Sequence, residues 1–260
     1  MISMNEATAD DAQDMSMSVT ELHDRGYAVL RAVFPPNEIA AFREVVLANL
    51  AAMAKTRRID HAYHLAGFHR HASFRPLHER IANEPAINRF LAQYYTGTYR
   101  TIGLTDITIN RSQHWHTDLL RGAYGGFLAD GSPWRDSANA CLKALVYLQP
   151  GRRLHIVSGS HRTPSPLDDD ALEALANKAD PISVQVEAGD VVMMDIRALH
   201  RGATDAEMSD PALVSTPKIL VSTVFGLDGS RFAEAMEAGN AKRLADWDMR
   251  YFGKALATAG

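Results

Sequence analysis

Cysteine is almost absent from this chain, since Cys141 is the only one among 260 residues. A single thiol excludes an intramolecular disulfide and a cysteine-rich metal site, and it fits a reducing compartment. No apolar stretch approaches the roughly 20 residues that cross a bilayer, and the first residues are acidic and polar, unlike a signal peptide. The sequence therefore predicts a cytoplasmic protein with no membrane partner.

A strong excess of one charge is also missing. Lysine and arginine together number 27, aspartate and glutamate 31, and the formal net charge is −4. Such a balance argues against nucleic acid or an anionic membrane surface as the partner. A small-molecule substrate is predicted instead, and the sequence leaves the oligomeric state open.

No internal repeat or linker divides the chain, and its length suits one large core. Residues 1–18 lack periodicity and are predicted to form a mobile leader, followed by a single domain over residues 19–260. The segment 56–75 is predicted to be loop. Apolar residues at helical spacing predict helices at 19–25, 37–53, 84–95, 168–178 and 231–256.

Short β-type runs separated by turn residues dominate the chain from Thr98 onward. Their spacing indicates a sandwich or barrel and not parallel βαβ units. The predicted fold class is therefore mostly β with flanking helices. Strands are predicted at 27–31, 99–110, 141–149, 182–186, 191–194 and 218–225.

The sharpest local feature is Gln113-His-Trp-His-Thr-Asp118, which directly follows a predicted strand. In an extended chain His116 and Asp118 project to the same side, because they are two residues apart. His200, just after the predicted strand 191–194, is the best candidate for a third ligand. Two histidines and one carboxylate on one face of a metal leave three positions open, as in non-haem iron(II) oxygenases.

The His-x-Asp pattern by itself is weak in a chain with 11 histidines, where a surface-loop pair is the plainer reading. Position favours the metal interpretation, because the motif ends one β-run and His200 arrives four β-type segments later. His114 shares a face with His116 in an extended chain. Three ligands on one short strand cannot wrap around one ion, so we expect His114, with Trp115, to contact substrate or to hydrogen bond to a ligand.

Four segments that together span most of the chain are 24–30 followed by Pro35 and a helix, 113–118, 158–162, and 189–192 together with 199–202. In their order and spacing these segments resemble the phytanoyl-CoA dioxygenase family. The resemblance implies a double-stranded β-helix core of the jelly-roll or cupin-like kind, with iron(II), 2-oxoglutarate and O2 as cofactor and co-substrates. It also implies a hydroxylase that attacks an unactivated C–H bond and releases succinate and CO2.

In the family a basic residue binds the distal carboxylate of 2-oxoglutarate, and it lies on the strand after the second ligating histidine, which is His200 in this chain. The matching strand here begins at Lys218, and an inserted loop over 204–216 accounts for a gap from His200 that is longer than usual. Lysine meets a carboxylate as a point charge, without the bidentate fork of arginine. Lys218 is our first choice, and an exposed lysine at a strand end is the alternative reading. Lys143 is its rival, because a lysine in an apolar strand is costly to bury without a partner, but a position that points outward from a half-exposed sheet accounts for Lys143 equally well.

Two other classes of protein remain open. One is a non-catalytic, cupin-like protein that binds a metal or a small molecule, and the other is a zinc hydrolase. The hydrolase is disfavoured because no glutamate stands in a His-Glu-x-x-His pattern as general base. Arg197 and Arg201, which flank His200, are candidates to bind an anionic substrate, although solvated surface charge is the plainer account of both.

Overall fold

Two antiparallel sheets form the centre of the computed structural model, which describes residues 9–56, 59–125, 140–164 and 168–253. The strands in these ranges are β1 Tyr27–Leu30, β2 Ala54–Lys55, β3 Tyr63–Ala66, β4 Tyr99–Ile109, β5 Leu142–Tyr147, β6 Gly151–Ile156, β7 Ile182–Val186, β8 Val191–Asp195, β9 His200–Arg201 and β10 Ile219–Leu227. The larger sheet has the order β1-β8-β5-β10-β4-β3-β2, and the smaller one has the order β7-β6-β9.

Helices flank this core, as the fold class predicted. Two of them pack on the outer face of the larger sheet, where Phe42 of one and Phe90 of the other share a buried cluster with Val146 and Val221 of the central strands. No helix in the described part of the chain is long and apolar enough to cross a membrane. The helices are α1 Ala9–Arg25, α2 Pro36–Ala48, α3 Arg75–Ala82, α4 Pro85–Tyr94, α5 Asp169–Lys178, α6 Asp205–Met208 and α7 Arg231–Phe252.

Alternation along the strands gives the larger sheet a second, inner face that meets the smaller sheet. Leu145 of β5 and Val192 of β8 pack there against Leu154 of β6 and Val184 of β7. Further along the same inner face the side chains are polar, and the two sheets enclose a cavity there. The fold therefore places polar groups of several strands around one internal space.

The turn before β8 is fixed by Gly189 and Asp190. Gly189 has a φ of 92°, and a Cβ at this position would lie 2.2 Å from the backbone oxygen of Phe34. The Asp190 carboxylate accepts hydrogen bonds from Arg31 Nη1 at 2.6 Å and from the backbone N–H of Ala32 at 2.9 Å. The turn thus ties the start of β8 to the end of β1.

Replacing Gly189 by alanine is expected to lower the free energy of unfolding by about 2 kcal/mol or more, because a left-handed φ strains an L-residue and the methyl group meets a backbone carbonyl. Thermal unfolding followed by circular dichroism measures the loss. Gly229→Ala is the matched control: its φ is 72°, but nothing lies within 4 Å of the Cβ position. Equal losses in both variants would contradict a role for the Phe34 contact.

The structure differs from the sequence predictions in several places. Helix α1 begins at Ala9, inside the segment predicted as leader. Strand β3 lies within the predicted loop 56–75 and pairs with β4. Strand β6 was not predicted, since the predicted run 141–149 ends before it begins. Strands β3 and β6 form through pairing with other segments, and Gly151-Arg-Arg-Leu-His-Ile156 has little apolar alternation to indicate a strand.

Candidate metal centre

His116 and His200 are joined by backbone hydrogen bonds. The backbone N–H of each histidine donates to the carbonyl of the other, at 2.8 and 2.9 Å, in an isolated antiparallel bridge. The backbone N–H of Asp118 donates to Ile196 at 2.9 Å. The segment after β4 and the segment that leads into β9 are therefore held side by side, and this contact brings the three predicted ligands together.

The three side chains converge on one point. One ligand atom from each of His116, Asp118 and His200 lies within 4.8 Å of the other two. The Asp118 carboxylate oxygens are 3.9 Å from His116 Nε2 and 3.7 Å from His200 Nε2. These distances are too long for hydrogen bonds. They suit three ligands that surround a single ion.

Backbone carbonyls orient both imidazole rings. His116 Nδ1 lies 2.6 Å from the carbonyl oxygen of His114, and His200 Nδ1 lies 2.9 Å from that of Ala198. A carbonyl oxygen only accepts, so Nδ1 carries the proton in each ring and donates it. Nε2 of each ring then keeps its lone pair for a metal, which is the usual way in which a ligating histidine is held.

Burial and neighbouring charges keep the ligands in the protonation state that binds metal. Burial, followed by the nearby His200, lowers the pKa of His116 to about 3, and burial also lowers the pKa of His200. Burial alone would raise the pKa of Asp118, but the Lys143 ammonium and the two imidazoles lower it to about 2. At neutral pH the site is a carboxylate beside two neutral imidazoles.

The Asp118 carboxylate shows that a cation fits this site. Its Oδ1 accepts a hydrogen bond from Lys143 Nζ at 2.9 Å. Its Oδ2 is buried and has no hydrogen-bond partner in the described part of the chain. A buried carboxylate oxygen without a partner is unfavourable. A divalent cation bound by Oδ2 and the two Nε2 atoms would satisfy it, and two imidazoles with one carboxylate suit non-haem iron.

A cavity of about 270 Å³ adjoins the three ligands, and both candidate lysines for the co-substrate line it. Lys143 makes the ion pair with Asp118. Lys218 stands at the start of β10, where its backbone N–H donates to Asn110. Burial, followed by the neighbouring Arg153 guanidinium, lowers the pKa of Lys218. This part of the cavity therefore has two adjacent cations.

The other four predicted substrate residues lie outside the lining of this cavity. His114, Trp115 and Arg201 line a separate depression, where the Arg201 guanidinium lies 5.5 Å from the centre of the Trp115 ring. His114 also lines a pocket that shares His64 and Arg111 with the metal cavity. Arg197 is 2% exposed and donates to Asp195 at 2.9 and 2.5 Å. The segment between β4 and Asp118 is irregular, so the two-residue spacing of His114 and His116 does not give them a common face.

Asp106, Arg111 and Arg243 are among the polar residues of the cavity that the sequence reasoning missed. His64 Nε2 lies 2.8 Å from Asp106 Oδ1, and Arg243 Nη1 lies 3.5 Å from the same oxygen. Alternation offered a signal for Asp106, a carboxylate within the apolar run of β4. No local pattern places Arg243, because it lies on the C-terminal helix α7.

Comparisons with known proteins identify the fold. No protein-family model and no curated protein sequence matches the chain. Among solved structures, the epimerase SnoN in complex with Fe3+, α-ketoglutarate and nogalamycin RO is similar, with a TM-score of 0.63 and 18% identity over 86% of this chain and 90% of that one. These values show a common fold.

Two further solved structures share the fold with this chain at similarly low sequence identity. HygX from Streptomyces hygroscopicus, with nickel, 2-oxoglutarate and hygromycin B bound, gives a TM-score of 0.59 and 17% identity over 82% of this chain and 87% of that one. The α-ketoglutarate-dependent carbocyclase SnoK from nogalamycin biosynthesis gives 0.56 and 19%, over 81% and 83%. The predicted double-stranded β-helix is confirmed by these similarities and by the two facing sheets.

Proposed function

We propose that this protein is an iron(II)- and 2-oxoglutarate-dependent dioxygenase similar to the phytanoyl-CoA dioxygenase family, and that it hydroxylates a C–H bond of a small metabolite. The observation that carries the proposal is the convergence of His116, Asp118 and His200, with a buried and unpartnered carboxylate oxygen, beside an internal cavity. SnoN, HygX and SnoK support it, because each shares the fold and depends on or binds 2-oxoglutarate.

The metal would be held by Nε2 of His116, Oδ2 of Asp118 and Nε2 of His200. When bound, iron(II) supplies the redox chemistry through which O2 and 2-oxoglutarate oxidise a substrate. The protein's part is to fix the ligands. The carbonyls of His114 and Ala198 set the two rings, and Lys143 holds the other carboxylate oxygen at 2.9 Å. Ligands on one side leave the opposite positions of the metal accessible.

Lys218 is proposed to bind the distal carboxylate of 2-oxoglutarate. Its position at the start of β10 and its place in the cavity lining support this role. The neighbouring Arg153, which also lines the cavity, adds a second cation near the same place. The 2-oxoglutarate dianion would stabilise the positive charges of Lys218 and Arg153. Lys143 is less suited to this role, because its ammonium already pairs with Asp118.

Succinate formation tests the proposal. The protein, loaded with iron(II) under anaerobic conditions and then given 2-oxoglutarate and O2, should release succinate when one of a set of small carboxylates and phosphonates is present. The same protein without iron is the control. If the protein binds iron but releases no succinate with any compound, the non-catalytic, cupin-like alternative is favoured. If succinate forms equally well without iron, the proposed metal is contradicted.

The type of reaction is tested by the mass of the product. Hydroxylation adds one oxygen atom to the substrate. We propose it because the family resemblance implies that halogenases of this kind have a small residue in place of the carboxylate ligand, whereas this chain has Asp118. SnoN is an epimerase and SnoK a carbocyclase. A product of unchanged mass, or one that has lost two hydrogen atoms, would assign this chain to such a reaction instead.

A further inference from the structure

The cavity lining has more positive charge than the proposed cofactors require. Five lysines and arginines but only two aspartates line it, and Glu207 outside the lining lies 3.9 Å from Arg153, which leaves an excess of two formal positive charges when the histidines are neutral. Iron(II) and the 2-oxoglutarate dianion together add no net charge. Lys143 pairs with Asp118, whereas Arg111 and Arg243 share the single carboxylate of Asp106.

Arg111 directly follows β4, and its guanidinium forms no hydrogen bond with the residues that the structure describes. Its charged and titratable neighbours act on it through space alone, and they include Asp106, Arg243, Tyr251 and Asp118. Burial, more than any of these neighbours, lowers the pKa of Arg111. The side chain thus lies between the candidate metal ligands and helix α7, with all its donors available to a ligand.

Helix α7 also lines the cavity, through Arg243. Arg243, Trp247 and Tyr251 are spaced four residues apart and therefore lie on one helix face. The rings of Trp247 and Tyr251 are 4.2 Å apart between centroids, and the Trp247 ring meets His64 edge-on at 4.5 Å. Arg243 Nη2 and Trp247 Nε1 are buried and have no acceptor among the described residues.

The aromatic residues and the metal cavity are adjacent. His64 and Arg111 line the metal cavity and also line a second pocket, whose other walls include Lys55 of β2 together with Trp247 and Tyr251. The two spaces therefore meet at His64 and Arg111. A molecule held at this junction would lie next to the metal ligands and also against the face of α7.

We propose that Arg111, Arg243 and Trp247 bind an anionic group of the substrate, a carboxylate or a phosphonate, and that Trp247 and Tyr251 contact a flat apolar group attached to it. The inference rests on the proposed function, which makes this space a substrate site. Guanidinium and indole N–H groups only donate, so the ligand must provide acceptors. Two guanidinium groups favour an anion, and aromatic rings favour a flat apolar body.

Phenylphosphonate, which joins an anion to a flat ring, is the probe for this site, and benzyl alcohol is its neutral counterpart. Calorimetric titration is carried out on the full chain with iron(II) and 2-oxoglutarate under anaerobic conditions, and again without them. We expect phenylphosphonate to bind in both conditions and more tightly than benzyl alcohol. Arg111→Met should weaken it roughly 10- to 100-fold, as expected for the loss of hydrogen bonds to a charged group.

Three further variants define the site. Trp247→Phe keeps a ring but removes the N–H, and it should weaken binding about 5-fold. Arg111→Lys should restore part of the affinity that Arg111→Met loses, and it tests the charge even where the methionine variant folds poorly. Lys242→Met removes an exposed cation from the same helix and should change the affinity by less than about 2-fold.

The proposal is overturned if Arg111→Met binds phenylphosphonate as wild type does, or if the neutral alcohol binds equally well. It is also overturned if 2-oxoglutarate displaces phenylphosphonate and Arg111→Met loses 2-oxoglutarate binding, because Arg111 would then belong to the co-substrate site. Failure of the proposed function is a separate result. No succinate would form with any compound, while the titration without iron would still show the effect of Arg111.

Discussion

Alanine at position 116, 118 or 200 is expected to abolish iron(II) binding and all 2-oxoglutarate turnover while the fold is retained. Two ligands cannot fix an ion that needs three, and residues beyond bonding distance cannot replace a missing ligand. Residues that only hydrogen bond to a metal ligand contribute about 10- to 100-fold to metal affinity. Removing a ligand itself should therefore lower the iron affinity by more than about 100-fold. Calorimetric titration with iron(II) under anaerobic conditions measures it, and circular dichroism checks the fold.

The matched control for this prediction is His114→Ala. His114 is also a histidine near the centre, but its side chain lines the two neighbouring pockets and not the metal cavity, and its backbone carbonyl orients His116. Iron affinity should therefore stay within about 2-fold of wild type, because the substitution leaves the carbonyl in place. If a folded variant at His116, Asp118 or His200 still binds iron and turns over 2-oxoglutarate, the substituted residue is not a metal ligand.

Strong local periodicity explains which elements were predictable. Strand β7 was predicted with the bounds that it has in the structure, and helix α5 follows Asp168, which accepts a hydrogen bond from the backbone of Ala171 as the acidic start of the segment suggested. In each case a local pattern within a few residues specifies the element. The turn residues around β7 supply its limits.

Elements and contacts that depend on distant segments were not predictable in the same way. Strand β9 is only two residues long and owes its pairing to β6, so no alternation within it indicates a strand. The ion pair of Lys143 with Asp118 joins β5 to the segment after β4, and only the assembled sheets bring them together. The sequence left open whether Lys143 is buried with a partner or points outward from the sheet, and it could not identify Asp118 as the partner.

The ligand set was accessible because the order of motifs along the chain contains geometric information, whereas the substrate side was not. His116 and Asp118 lie two residues apart, and His200 follows a clear strand, so a short argument connects them. Arg111 and Arg243 are far apart in sequence, and both lie near the Asp106 carboxylate, which is on β4. No spacing rule relates a strand end to a C-terminal helix. The sequence therefore indicated the candidate metal ligands more readily than the residues proposed to bind the substrate.

Lys218→Ala is expected to lower the affinity for 2-oxoglutarate by roughly 30- to 1,000-fold. Removing the ammonium takes away the cation proposed to pair with the distal carboxylate in a partly buried part of the cavity, and the neighbouring Arg153 already lies 3.9 Å from Glu207. The loss of a hydrogen bond to a charged group and of the ion pair together amounts to about 2 to 4 kcal/mol, and 1.4 kcal/mol corresponds to about one decade. Lys218→Arg should keep part of the affinity, because the charge is retained while the fork fits imperfectly.

Lys143→Ala separates the two lysines, because the structure gives Lys143 a different partner. Without its ammonium, Asp118 Oδ1 loses the hydrogen bond of 2.9 Å that holds the carboxylate, so iron affinity should fall by about 10- to 100-fold, as for other partners of a metal ligand. At saturating iron(II), the affinity for 2-oxoglutarate should then stay close to that of wild type. Calorimetric titration of 2-oxoglutarate into each iron-loaded variant decides the question. The opposite pattern, a large loss for Lys143→Ala and none for Lys218→Ala, would assign the co-substrate carboxylate to Lys143 and would show that Lys218 only lines the cavity.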